Sequence, residues 1–107
     1  VHETIAFFLD EASRSDTLII VSDTVHDDAV YAVAECMLRV GNERAHVCGL
    51  VLATVRPNHR LRPGDTSRFH ELELMAEDCG IELVEWFIVG PGGVESPRDL
   101  LGLPERW

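Results

Sequence analysis

The sequence predicts an α/β domain, with helices in two outer layers around a mixed sheet of four to five strands. Three observations predict it. Short β-branched or continuously apolar runs at Thr17–Ser22, Ala45–Val55 and Ile81–Val89 read as strands. The stretches between them repeat apolar residues at helical spacing. Glycine and proline punctuate the joins. The chain of 107 residues reads as a single domain spanning 1–107. A domain of this size buries roughly two-thirds of its extended-chain surface, so one core forms without disulfide or metal staples. Hydrophobic residues at 46% and charged residues at 26% exclude bulk disorder.

Each element has its own signal. Ile5, Phe8, Leu9 and Ala12 recur at i, i+3, i+4 and i+7, which predicts an amphipathic helix over His2–Ser13. Thr17–Ser22 follows as a buried strand. Thr24–Asp27 resembles a capping box, and Val30, Val33, Ala34, Met37 and Leu38 mark one face of the next helix, with Gly41 as its stop. Ala45–Val55 is apolar almost throughout, as the centre of a sheet covered on both faces requires.

Residues 56–66 form a loop with two prolines and a glycine. Thr66 or Ser67 then caps a third helix that presents Phe69, Leu72, Ala76 and Cys79 and stops at Gly80. Ile81–Val89, a turn at Gly90–Gly93 and a short strand at Val94–Ser96 come next, and the tail to Trp107 reads as an irregular cap. Trp86 and Phe87 are expected on opposite faces of their strand. The order α-β-α-β-α-β-β makes helix, sheet and helix the simplest stack.

Charge narrows the partners. Nine arginines, no lysine and nineteen acids give a net charge of −10, which disfavours nucleic acid and anionic membrane as partners. The longest apolar run, Val47–Val55, is too short for a bilayer, which takes about 20 residues. No signal peptide opens the chain, and a first residue of Val reads as a fragment trimmed from something longer. Cys36, Cys48 and Cys79 lack metal-ligand spacing and are expected as buried thiols in a reducing cytoplasm. One stretch opposes the overall sign: Arg56, Arg60, Arg62 and Arg68 face a single acid, Asp65, between residues 56 and 70. Either this loop binds an anion or its arginines pair with acids such as Asp65, Glu71 or Glu73.

The same loop carries the chemistry-bearing residues. His59 stands just past the end of a central strand, where α/β sheets place ligands. Ser67 and His70 lie one helical turn apart at the start of the next helix and share a face. Two imidazoles and a hydroxyl there are a candidate zinc site, although a catalytic zinc usually takes three protein ligands and a water. Asp65 and His26 are the third ligands on offer.

These residues resemble the RadC-like branch of the JAB/MPN (JAMM) metalloprotease fold, a cytidine-deaminase-like three-layer architecture. That branch carries His-Asn-His-Pro-Ser-Gly at a strand end, then Ser-x-x-Asp opening a helix. Pro57-Asn58-His59 stands at the first block and Ser67-Arg68-Phe69-His70 at the second, with the family's seven residues between His59 and Ser67. Val25-His26 resembles the family's Val-His-Pro-Arg helix start. Gly80–Gly90 resembles its Gly-Ile-x-Leu-x-Asp-His-Ile-Ile-Val-Gly strand, and Val94–Arg98 its closing Val-Ser-x-Arg. The likeness spans about Val25 to Arg98, roughly three-quarters of the chain.

In active members two His and the Asp bind zinc, the Ser stabilises the oxyanion and an upstream Glu activates the metal-bound water. Here Pro57 replaces one His, His70 replaces the Asp, and Arg60, Leu61 and Arg62 replace Pro-Ser-Gly. Ser67 is kept, and the Glu has no counterpart. The resemblance therefore implies a degenerate domain, a pseudoenzyme serving as a protein-interaction or scaffolding module through a protein partner or self-association. The alternative is a zinc peptidase or isopeptidase with a remodelled site, His59 and His70 as ligands and Ser67 as oxyanion donor. A second alternative is anion or nucleic-acid binding through Arg56, Arg60, Arg62 and Arg68, in keeping with the family's association with DNA repair.

Overall fold

The structure is a computed structural model and describes residues 2–12, 15–22, 28–43, 47–57, 61 and 64–102; of these, the side chains of 15–18 and 100 are not described. Five strands and three helices follow one another: β1 (Glu3–Leu9), β2 (Ser15–Ser22), α1 (Ala29–Gly41), β3 (Gly49–Val55), α2 (Asp65–Asp78), β4 (Glu82–Gly90), β5 (Gly93–Glu95) and α3 (Pro97–Leu101). The strands form one mixed sheet in the order β2-β1-β3-β4-β5. This is the α/β class that the sequence predicts, with five strands.

The first element is corrected. Residues 3–9 are a strand, not part of a helix over His2–Ser13. Burial alternates along it: Thr4, Ala6 and Phe8 point into the core, while Ile5, Phe7 and Leu9 point the other way. Ile5, Phe8 and Leu9 fit helical spacing, yet the full run is apolar at both parities and rich in β-branched and aromatic residues, which favours strand. Tertiary pairing decides the matter. β1 pairs antiparallel with β2 on one side and with β3 on the other, so its backbone groups are satisfied laterally.

Since β1 runs against both β2 and β3, and β3 runs parallel to β4, strands β2, β3 and β4 all point the same way. Two crossovers therefore step across the sheet in one direction, β2 through α1 to β3 and β3 through α2 to β4. Such connections are right-handed almost without exception, and two stepping the same way put their helices on one face. Both helices share a single core there. Val30, Val33, Ala34, Met37 and Leu38 of α1 and Phe69, Leu72 and Ala76 of α2 meet Ala6, Phe8, Leu50, Leu52, Trp86 and Ile88 of the sheet. Trp86 is fully buried and Phe87 only partly so, on opposite faces as expected.

The other face carries Ile5, Phe7 and Leu9 of β1, Ala53 and Val55 of β3 and Phe87 and Val89 of β4, each half-buried. With residues 3–9 a strand, that segment supplies no helix to this side.

Smaller differences have local causes. α2 begins at Asp65, behind Gly64 at φ 90°, so neither Thr66 nor Ser67 is its cap. Gly80 ends α2 at φ 70°, as its lack of a Cβ allows. Gly41 is not a left-handed stop: it is the last helical residue, followed by Asn42 in right-handed conformation. It is needed for contact, because a Cβ there would lie 2.9 Å from both the Phe8 ring and Ile81 Cδ1. The tail contributes α3, capped by Ser96, whose Oγ accepts from the Arg98 amide at 3.2 Å, with Pro97 in its first turn. Cys36 and Cys48 are exposed and Cys79 is half-buried, against the expectation of three buried thiols. The capping-box reading of Thr24–Asp27 lies outside the described residues.

Gly41→Ala tests this packing. Overpacking a filled core costs about 1–3 kcal/mol, against a helix-propensity gain of about 1 kcal/mol that is diminished at a helix end. The urea midpoint is therefore expected to fall, with the slope of the transition unchanged.

Candidate functional site

The C-terminal ends of β2, β3 and β4 and the N-termini of α1 and α2 meet at one edge of the sheet, the edge where α/β folds place ligands. The Arg56 amide donates to the Val89 carbonyl at 2.9 Å, extending the parallel pairing one step beyond β3. Its side chain turns onto the helix face. There Nη1 donates to Asp65 Oδ2 at 2.9 Å and Nη2 to Asp65 Oδ1 at 3.2 Å, with 3% and 1% of the two side chains exposed. The guanidinium carbon lies 6.0 Å from the Trp86 ring centroid, and Trp86 Nε1 donates to Thr54 Oγ1 at 2.9 Å.

Asp65 serves two arginines. Arg68 Nη1 donates to Asp65 Oδ1 at 3.0 Å, and Arg68 Nε donates to Asp28 Oδ1 at 2.9 Å. Asp28, Arg68, Asp65 and Arg56 thus form a chain of alternating charge tying the start of α1 to the first turn of α2 and the end of β3. A carboxylate in that first turn also meets the positive end of the helix dipole. Further along the loop, the Leu61 amide donates to Glu95 Oε2 at 3.2 Å, which pins the segment to β5.

Tyr31 of α1 stands close to this chain. Its phenol is pushed above its ordinary value of 10.0, first by burial and then by the Asp28 and Glu71 carboxylates, with Arg68 acting in the opposite sense.

The residues singled out from sequence are distributed unevenly. Arg56 is buried in its ion pair, and Arg68 is half-buried between two carboxylates. Ser67 and His70 are exposed on the first turns of α2, on the side away from Phe69 and Leu72. His59, Arg60, Arg62 and His26 lie outside the described residues. Pro57 is exposed at the end of β3 and offers no donor atom. Among the described residues no group of three or more His, Cys, Asp or Glu is placed to hold a metal ion. Of the ligand set that the resemblance calls for, the described donors are His70 alone, and they do not make up a zinc site.

A second buried polar cluster escapes the sequence reading. Glu85, 2% exposed in the middle of β4, accepts from its neighbour's amide, Trp86 N, at 3.0 Å and from Ser96 Oγ at 2.5 Å. Arg98, also 2% exposed, lies 5.6 Å over the Phe69 ring and 3.9 Å from Glu73 Oε2. Ser96-Pro97 was the available signal, since Ser followed by Pro marks a helix start. An open depression of about 520 Å³ beside Cys48, Glu73, Glu77 and Glu82 lies at the opposite end of the sheet, and a groove of about 420 Å³ between α1 and α2 runs past Leu38, Met75 and Cys79. Neither touches Ser67 or His70. No protein-family model matches the chain, and no curated protein matches it.

Asp65→Asn leaves Arg56 charged and desolvated, so it is expected to destabilise the fold by about 3–5 kcal/mol in chemical denaturation. Glu35→Gln, which breaks the exposed Arg39–Glu35 pair at 2.7 Å, is expected to cost less than about 1 kcal/mol. Tyr31 is the one tyrosine of the chain, so phenolate absorbance reports on it alone. Its titration midpoint is expected above 10.0 and higher still in Arg68→Gln. Folding favours the neutral phenol, so its contribution to stability is present below the unfolded pKa and is lost as pH rises through the folded one.

Proposed function

We propose that this chain is a RadC/JAB-like domain without a working metal site, and that it acts as a protein-interaction module. The observation that carries this reading is the Asp28–Arg68–Asp65–Arg56 chain at the strand-end edge. An active zinc centre needs several neutral or anionic donors around an open position. Here Asp28 and Asp65 are engaged by two guanidiniums, and Pro57 has replaced a ligand. Holding a dication beside Arg56 and Arg68 would oppose like charges in a partly desolvated setting.

The reading includes the three-layer, cytidine-deaminase-like arrangement of that family, of which the described residues supply the sheet and the helices on one face. A cytoplasmic location belongs to the same reading; among the described residues no helix is long and apolar enough to cross a membrane. Anion or nucleic-acid binding through the loop is disfavoured, because a phosphate would have to displace the carboxylates that Arg56 and Arg68 already hold. Two exposed side chains, Ser67 and His70, stay accessible for contact with a partner.

Bound metal per chain tests the proposal. Protein equilibrated with limiting zinc, beside a His59→Ala/His70→Ala double variant, is expected to hold no stoichiometric zinc in either form, and the two should unfold at the same urea concentration. About one zinc per wild-type chain, lost in the variant, would overturn the reading in favour of a peptidase or isopeptidase with His59 and His70 as ligands.

A further inference from the structure

We draw no further inference here: the strongest candidate, the apolar face of the sheet opposite α1 and α2 that runs through Ile5, Ile20, Phe87 and Val89, carries nothing, because nothing in the structure shows what covers it.

Discussion

Handedness of the two crossover connections decides which side of this sheet is dry. Strands β2, β3 and β4 point the same way, and the chain visits them in one direction across the sheet. Right-handed crossovers then leave α1 and α2 no choice but to lie side by side on one face. Their apolar stripes close over Phe8, Leu52 and Trp86, and Gly41 lets the end of α1 approach the Phe8 ring. Everything else about the molecule is a consequence of that lopsidedness: a deep core on one side, a half-buried apolar face on the other, and both helix N-termini gathered at a single edge.

Gathering the helix starts at one edge creates an electrostatic problem that the ion chain solves. Two positive dipole ends lie near Arg56, which is drawn beneath α2 because it continues the parity of Leu52 and Thr54 onto the helix face. An unpaired guanidinium with 3% exposure would be untenable, so Asp65 sits where both of its oxygens meet Arg56. Arg68 restores the balance on the other side of Asp65 and extends the pairing to Asp28. A metal-binding edge requires the reverse arrangement, with donors held ready and cations kept away. The same few residues are committed to bracing the fold.

Much of this was legible in the sequence, because burial on one face leaves a periodic trace. The β4 run, the α1 stripe through Val30, Val33, Ala34, Met37 and Leu38, and the stop at Gly80 stand where their patterns place them, while the apolar run expected as a strand from Ala45 pairs only from Gly49 to Val55. Residues 3–9 did not yield to the same reading. A strand with apolar residues at both parities contains helical spacings by accident, and only the partners on either side, β2 and β3, exclude the helix. The loop was half legible: Asp65 could be named as a partner for its arginines, but not that two of them converge on it. Arg98 and Glu85 were invisible, since a lone charge in an apolar run gives no sign of a mate from another element. The bond between Glu85 and Ser96 and the approach of Arg98 to Glu73 both depend on α3, which is announced by nothing more than Ser96 and Pro97.

Among the described residues, arginine serves the interior more than the surface. Of the four described arginines, Arg56 and Arg98 are almost wholly buried and Arg68 is half-buried, each beside carboxylates. Arg39 alone is well exposed, and Glu35 holds it. On the helix side these arginines are therefore neutralised within the fold, and Asp65 is the carboxylate on which two of them converge.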